Sequence, residues 1–179
     1  GLLINALTYK FSLDYWEIDY ENRIEAQSAQ ALLNENPNGP AITRNVDGDL
    51  IGVTTTYFNE ESTEVAGIDL DFRYSFPINK FGDFDMRIVG TNLIKFSTPL
   101  VESGVSKMQN RVGRFNYDSH MHSLPRNRVN LFLGINGKNF RHQLNTRYID
   151  SYKNTRAITG LGLTYGYKNK IDSFVVHDY

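Results

Sequence analysis

The stretch Gly67-Ile68-Asp69-Leu70-Asp71-Phe72-Arg73-Tyr74-Ser75-Phe76 alternates without a break. A strand points successive side chains to opposite faces. Ile68, Leu70, Phe72, Tyr74 and Phe76 therefore share one side, and Asp69, Asp71, Arg73 and Ser75 share the other. One face is apolar and aromatic, and the other carries whole charges. A wall between lipid and water needs this two-faced ribbon, although a soluble sheet covering a core shows the same period.

Neighbouring segments repeat the pattern. Leu7, Tyr9, Phe11, Leu13 and Tyr15 alternate with Thr8, Lys10, Ser12 and Asp14. Trp16, Ile18 and Tyr20 then continue with reversed parity, which predicts a bulge at Tyr15-Trp16. Residues 21–33 are rich in Glu, Ala, Gln and Leu and are followed by Asn34, Pro37 and Gly39. They read as a short helix inside a long loop. A strand is expected over 50–58, with a bulge or bend at 59–63 before the ribbon. Further strands place Phe84, Met86 and Ile88 against Asp83, Asp85 and Arg87, and Val129, Leu131, Leu133 and Ile135 against Arg128, Asn130 and Phe132. Asn136-Gly137 signals a hairpin. The return strand alternates Phe140, Leu144 and Tyr148 with Arg141, Gln143, Asn145 and Arg147.

The reading is all-β: about six antiparallel up-and-down strands and one short helix in a loop. Connections at 77–82 and 136–138 are short, and those at 97–124 and 151–170 are long. Short turns on one rim and long loops on the other characterise outer-membrane barrels. Charge suggests a register for the first hairpin, with Asp71 opposite Arg87 and Arg73 opposite Asp85 as pairs facing a lumen. Phe72 then faces Met86. A slip by two residues opposes like charges, at roughly 0.2–1 kcal/mol per pair.

The 179 residues carry a net charge of −1 and no cysteine. There is no electrostatic case for a nucleic-acid partner, and no disulfide or thiolate metal site. No apolar run approaches the ~18–20 residues of a spanning helix, which leaves strands as the way across a membrane. Residues 1–5 lack the basic start and small-residue cleavage site of a signal peptide. Both ends read as interior to a longer protein. Tyr15, Trp16, Tyr20, Tyr57, Phe58, Tyr74, Phe76 and Tyr148 cluster near strand ends, where interfacial girdles are expected. A soluble aromatic core would need an apolar partner layer, and no second sheet or helix is there to supply it.

Several constellations invite chemistry. Asp69 and Asp71 share a face, as a glycosidase pair would, but read as lumen charges with Arg partners. His120-Met121-His122 has a spacing two imidazoles could use on a metal, yet only Asp118 stands near, so solvated loop histidines are the reading. Asn45-Val46-Asp47-Gly48-Asp49 resembles half of a calcium loop, but its twelfth position is Thr56 rather than Glu, which leaves a turn. Arg111, Arg114, Arg126 and Arg128 flank one loop with Phe115 and Tyr117; solvated loop charge is the default reading, and contact with an anionic ligand or lipopolysaccharide is the alternative. No nucleophile elbow, phosphate loop or zinc-hydrolase motif is present, so no enzyme, cofactor or metal is expected.

A set of motifs carries a family resemblance: Tyr15-Trp16-Glu17-Ile18, Glu21-Asn22-Arg23-Ile24, Thr43-Arg44 with Asp47-Gly48, Tyr57-Phe58-Asn59, Gly67-Ile68-Asp69-Leu70 with Tyr74, and Leu124-Pro125-Arg126-Asn127-Arg128. Their order resembles the barrel of TonB-dependent outer-membrane receptors, over nearly the whole chain. The resemblance implies a 22-stranded barrel in the bacterial outer membrane with an N-terminal plug. It implies import of a scarce ligand (siderophore, cobalamin or glycan) energised through TonB.

Residues 1–179 would be part of that barrel domain, with the plug, its TonB box and the closing strands absent. The expected partners are outer-membrane lipid, TonB by way of the plug, and a small-molecule or glycan ligand. Ligand contacts are expected in the long loops, from Asn110, Arg111, Arg114, Tyr117, His120 and His122 in 110–122, and from Tyr152 and Arg156 in 151–170. Alternatives are a passive outer-membrane porin and a soluble β-sandwich binding carbohydrate through exposed aromatics.

Overall fold

The computed structural model describes residues 1–102, 105–116 and 123–179. The strands are β1 (Leu2–Asn5), β2 (Tyr9–Ala26), β3 (Ile42–Arg44), β4 (Leu50–Val53), β5 (Tyr57–Pro77), β6 (Asp83–Glu102), β7 (Val105–Asn110), β8 (Arg114–Phe115), β9 (Asn127–Asn136), β10 (Arg141–Ile149), β11 (Tyr152–Asn154), β12 (Lys170–Ile171) and β13 (Phe174–Asp178). Two short helices, α1 (Ala29–Glu35) and α2 (Gly160–Tyr165), lie in connections. The main sheet runs β1-β2-β5-β6-β9-β10-β13, with β7 added to β6, and it is open at both edges. The wall thus has seven antiparallel strands where the sequence suggested about six.

Its connections alternate strictly. Residues 6–8, 78–82 and 137–140 make short turns at one rim, and 27–56, 103–126 and 150–173 make long loops at the other. The turn at 78–82 relies on Gly82, whose φ of +111° suits a residue without a Cβ. The Asn136-Gly137 signal marks a real hairpin, but its loop is the four residues 137–140, closed by Gly137 N–H donating to Phe140 O at 2.9 Å.

One face carries apolar rows from strand to strand. Phe11, Phe72, Ile88 and Leu131 are successive neighbours, as are Leu13, Leu70, Gly90 and Val129. Near the short turns the rows turn aromatic, with ring centroids 5.2 Å apart for both Tyr74–Phe76 and Phe76–Phe84. The band from Ile68 to Phe76 covers about the ~9–11 residues that a tilted strand needs to cross a bilayer. β5 has 21 residues, β6 has 20 and β2 has 18, so these strands rise well beyond it.

That excess length explains the parity reversal at Trp16. No bulge exists there, because β2 keeps one register on β5 from Tyr9↔Tyr74 to Ala26↔Tyr57. The sides exchange character instead. Above Tyr15 the formerly apolar face carries Glu17, Asp19 and Glu21, and Trp16, Ile18 and Tyr20 move to the formerly polar one. Of the aromatics expected in girdles, Tyr15, Tyr74, Phe76 and Tyr148 lie on the apolar face, whereas Trp16 and Tyr20 lie on the other. The strand expected over 50–58 divides into β4 and the start of β5, and β5 runs through 59–63 unbroken. The first part of the segment read as helix, 21–26, belongs to β2, and α1 begins only after the Ser28 cap. Cross-strand pairing on β5 overrides the helical propensity of that segment.

The charge-based register is wrong by two residues. Phe72 faces Ile88, Asp71 faces Val89, and Arg73 faces Arg87. Asp71 still meets Arg87 along the diagonal, at 2.8 Å from Oδ2 to the terminal guanidinium nitrogen, and it also meets its own-strand neighbour Arg73 at 3.0 Å. Arg73 and Asp85 do not pair. Asp85 accepts from Ser75 Oγ at 2.7 Å and from the Asn136 amide. A long guanidinium reaches a diagonal partner, so the direct-opposition rule underestimates the alternatives.

A register shift lies in β6. Ala66 faces Lys95 and Gly67 faces Leu93, which leaves Ile94 as an extra residue. Above this bulge β6 turns to pair with β7.

Candidate functional site

Among the described residues, the side chains buried from solvent gather at the long-loop end of the wall and in the loops beside it. They are Glu60, Thr63, Val65, Ala66, Ser97, Thr98, Arg111, Val112, Asn116, Pro125 and Ala157. Arg23 anchors one side of this cluster. It donates to Glu60 Oε2 at 2.6 Å and Thr63 Oγ1 at 3.2 Å, contacts Glu25 at 2.7 Å, and lies 5.9 Å over the Phe96 ring. Thr63 Oγ1 donates to the same Glu60 oxygen at 2.8 Å. The hydrogen bonds offset the desolvation of a nearly enclosed carboxylate.

The loop at 103–126 is built on two asparagines. Asn110 Oδ1 accepts from Phe96 N at 3.3 Å and Val112 N at 3.0 Å, and its Nδ2 donates to Ile94 O at 3.3 Å. One side chain thereby satisfies backbone groups of the bulge residue Ile94, of Phe96 beyond it and of Val112 in the loop. Asn116, 0% exposed, donates to Arg111 O at 3.1 Å and Arg114 O at 3.4 Å. Arg111 is 1% exposed and donates Nε–H to Thr98 Oγ1 at 3.2 Å.

This loop is zipped to the loop at 150–173. β8 pairs in parallel with β11, which pairs with β12. Lys153 N–H donates to Gly113 O at 2.9 Å, and Thr155 Oγ donates to Phe115 O. Asn154 caps the next turn, accepting from Arg156 N at 3.2 Å, and holds Lys168 O at 3.0 Å. Arg156 sits 5.2 Å over the Tyr167 ring, and Tyr167 stacks on the exposed Tyr165 at 6.1 Å. At the loop's base Asp150 accepts from Asn127 Nδ2 at 2.8 Å, from Tyr148 at 3.2 Å and from Ser151 N at 2.8 Å. The Asn127 hydrogen bond first, then those from Tyr148 and Ser151, hold its carboxyl below the ordinary aspartate range.

The ligand-facing residues expected from sequence therefore divide. The structure brings Asn110, Arg111 and Arg114 into one cluster with Tyr152 and Arg156. Asn110 and Arg111 are engaged within the loop framework, whereas Arg114, Tyr152 and Arg156 are only half-buried. Tyr117, His120 and His122 lie outside the described residues. Sequence reasoning missed Asn116, Glu60 and the Tyr165–Tyr167 stack. Asn116 and 165–167 fall inside the loops 110–122 and 151–170 where ligand contacts were expected, but neither was singled out there.

The other constellations resolve into structure. Asn45 Oδ1 accepts from Asp47 N at 3.0 Å and Asp49 N at 2.8 Å, a side-chain-closed turn. Asp69 accepts from Thr91 Oγ1 at 2.7 Å, and Asp71 is forked between two guanidiniums. No group of three or more His, Cys, Asp and Glu able to hold a metal occurs among the described residues.

An open, strongly two-faced antiparallel wall with short turns at one rim and interlocked loops at the other is the form of an outer-membrane barrel segment. Residues 3–179 match the family described as TonB dependent receptor-like, beta-barrel, and the chain belongs to that family. It is a family of outer-membrane transport receptors rather than an enzyme class. No curated protein matches the chain. Among solved structures it is similar to the siderophore receptor PirA from Acinetobacter baumannii, at 12% identity and a TM-score of 0.50. The match covers 98% of this chain and 23% of that receptor. At that identity the likeness concerns the fold.

Proposed function

We propose that this chain supplies wall and extracellular loops to an outer-membrane receptor that imports a scarce ligand with energy passed through TonB. The observation that carries the reading is the pair of long loops interlocked through β8, β11 and β12 above one rim. A structured loop cluster is suited to recognition, whereas a bare opening suffices for passive flow. The apolar face lies against lipid in the bacterial outer membrane, and the polar face lines the lumen. The plug and remaining strands belong to parts of the protein outside these residues, and TonB acts through the plug.

Ligand contacts come from 110–122 and 151–170. Arg114, Tyr152 and Arg156 face the ligand on the framework held by Asn110 and Arg111, and Tyr117, His120 and His122 are further candidate contacts from the sequence. Siderophores, cobalamin and glycans are the candidate classes, and the name of the structural neighbour puts siderophores first. Uptake of labelled ferric siderophores, cobalamin and oligosaccharides is the test, in cells carrying the intact receptor with and without functional TonB. One class should accumulate only with TonB. Equal uptake without TonB would replace this reading with a passive channel.

A further inference from the structure

The small sheet that zips the two long loops carries like charges in register. Lys153 of β11 stands opposite Arg114 of β8 on one side and opposite Lys170 of β12 on the other. Neighbouring strands lie about 5 Å apart, so the three side chains start within roughly 10 Å of one another. Lys153 and Lys170 are exposed, and Arg114 is half-buried. None of the three makes an ion pair among the described residues. The alternate positions, Phe115 opposite Asn154 and Tyr152 opposite Ile171, carry no charge.

Like charges held directly opposite across strands oppose pairing. Each of these ladders is only two residue pairs long, so little backbone pairing offsets the repulsion. Carboxylates do not offset it either. Residues 105–116 and 123–126 contain no Asp or Glu. In the loop at 150–173, Asp150 is held by Asn127, Tyr148 and Ser151, and Asp172 makes no ion pair among the described residues. Both members of each opposed pair belong to this chain, so the repulsion does not depend on what fills the lumen.

We propose that this row is a clasp closed by an anion. A soluble polyanion, bearing two or more carboxylate or phosphate groups, binds across Arg114, Lys153 and Lys170, relieves their repulsion and tightens the two loops on each other. The Arg114 guanidinium offers planar N–H donors that match such oxygens, and the lysines add mobile point charges. A single-charge anion leaves most of the repulsion in place, so affinity and closure both rise with ligand charge. Charge placement favours a solute over an anionic lipid. The wall face that rises from the lipid band carries Glu17, Asp19 and Glu21, while these cations gather on the loop sheet. The clasp rests on the reading that the long loops receive the ligand, and it narrows that ligand to an anionic one.

The test uses the intact receptor in detergent at low salt. In calorimetric titrations citrate should bind at least tenfold more tightly than acetate. Lys153→Gln/Lys170→Gln should weaken citrate binding at least tenfold, whereas Lys107→Gln, on β7 and outside the sheet, should leave it unchanged. Closure is read by hydrogen exchange at the Lys153 and Asn154 amides, which donate to Gly113 O and Asn169 O. Citrate should slow their exchange several-fold in the unaltered receptor, a readout that needs no variant. Lys170→Gln should slow it without citrate, because removing a charge relieves the same repulsion; a merely structural lysine would give faster exchange. Several results would overturn the proposal: no citrate binding, acetate binding as tightly as citrate, citrate binding with unchanged exchange, or Lys170→Gln exchanging as fast as the parent. Slowing by lipopolysaccharide micelles and not by citrate would overturn it in favour of lipid. None of these readouts involves TonB, so failure of the clasp and failure of TonB-dependent uptake are told apart.

Discussion

The Trp16 indole lies across Gly67, its partner on the neighbouring strand. A Cβ built on Gly67 would stand 2.5 Å from Trp16 Cζ2 and 3.0 Å from Asn92 O. The glycine that opens the ribbon is therefore required by a close approach, at the level where the faces of the wall exchange character. Gly67→Ala should destabilise the folded receptor by about 1–3 kcal/mol, the usual range for overpacking. Trp16→Leu in the same chain should recover part of that loss. Urea unfolding of both variants, followed by the heat-sensitive mobility of the folded barrel on gels, checks it. A Gly67→Ala barrel as stable as the parent would show that the indole moves aside freely.

The register between β5 and β6 can be read by cross-linking. Cysteines replacing Phe72 and Ile88 face each other directly, whereas the charge-based register would bring together cysteines replacing Phe72 and Met86. Oxidation should link the first pair and leave the second largely free. A double-mutant cycle adds energetics: Asp71 with Arg87 should couple by about 0.2–1 kcal/mol, as exposed ion pairs do. Arg73 with Asp85 should not couple detectably, since Asp85 is held by Ser75 and Asn136.

Asp150 predicts a dependence on acid. Its carboxyl titrates below its ordinary value in the fold, chiefly because Asn127 donates to the charged form. A group with a depressed folded pKa contributes stability that is fully present above the unfolded value of about 4 and lost as pH falls through the folded one. The stability difference between the parent and Asp150→Asn should thus be constant from neutral pH to about 5, and should vanish in stronger acid. Denaturant midpoints of the two proteins across that range decide it. A difference that grows on acidification would contradict the assigned hydrogen bonds.

Asn116 holds two carbonyls from a fully buried position. Asn116→Ala leaves Arg111 O and Arg114 O without that donor, at a cost of about 1–3 kcal/mol. Because the amide belongs to the loop cluster and not the wall, the effect should be local. Limited proteolysis should cut the loop at 103–126 faster, while β-sheet circular dichroism and barrel mobility stay as in the parent. Loss of the barrel itself would show that wall and loops fold as one unit.

Much of the wall was legible because alternation is a local property. Ile68 to Phe76, Phe84 to Ile88 and Val129 to Ile135 each declare a face through their own neighbours in the chain. Turn chemistry likewise marked the short rim at 78–82 and at Asn136-Gly137. The extension of β2 past Glu21 was hidden, because its strand state comes from pairing with β5 rather than from its helix-favouring residues. The candidate loops were legible as loops but not as a cluster, since the parallel contact of β8 with β11 joins segments distant in sequence.

Sequence alone determined that the chain is a two-faced antiparallel wall and, within the ribbons up to Tyr15 and from Ile68 to Phe76, which residues belong to each face, because a period of two is written in consecutive side chains. Only the tertiary structure decided how those faces meet. It set Arg73 opposite Arg87 with Asp71 bridging them diagonally, placed the bulge at Ile94, and buried Arg111 and Asn116. Register and burial are relations between strands, and their energies include the reach of long side chains and the closure of backbone hydrogen bonds, which no single strand records. The ribbon beginning at Gly67 carries both lessons: its alternation was plain, while the need for its glycine came from Trp16 across the ladder.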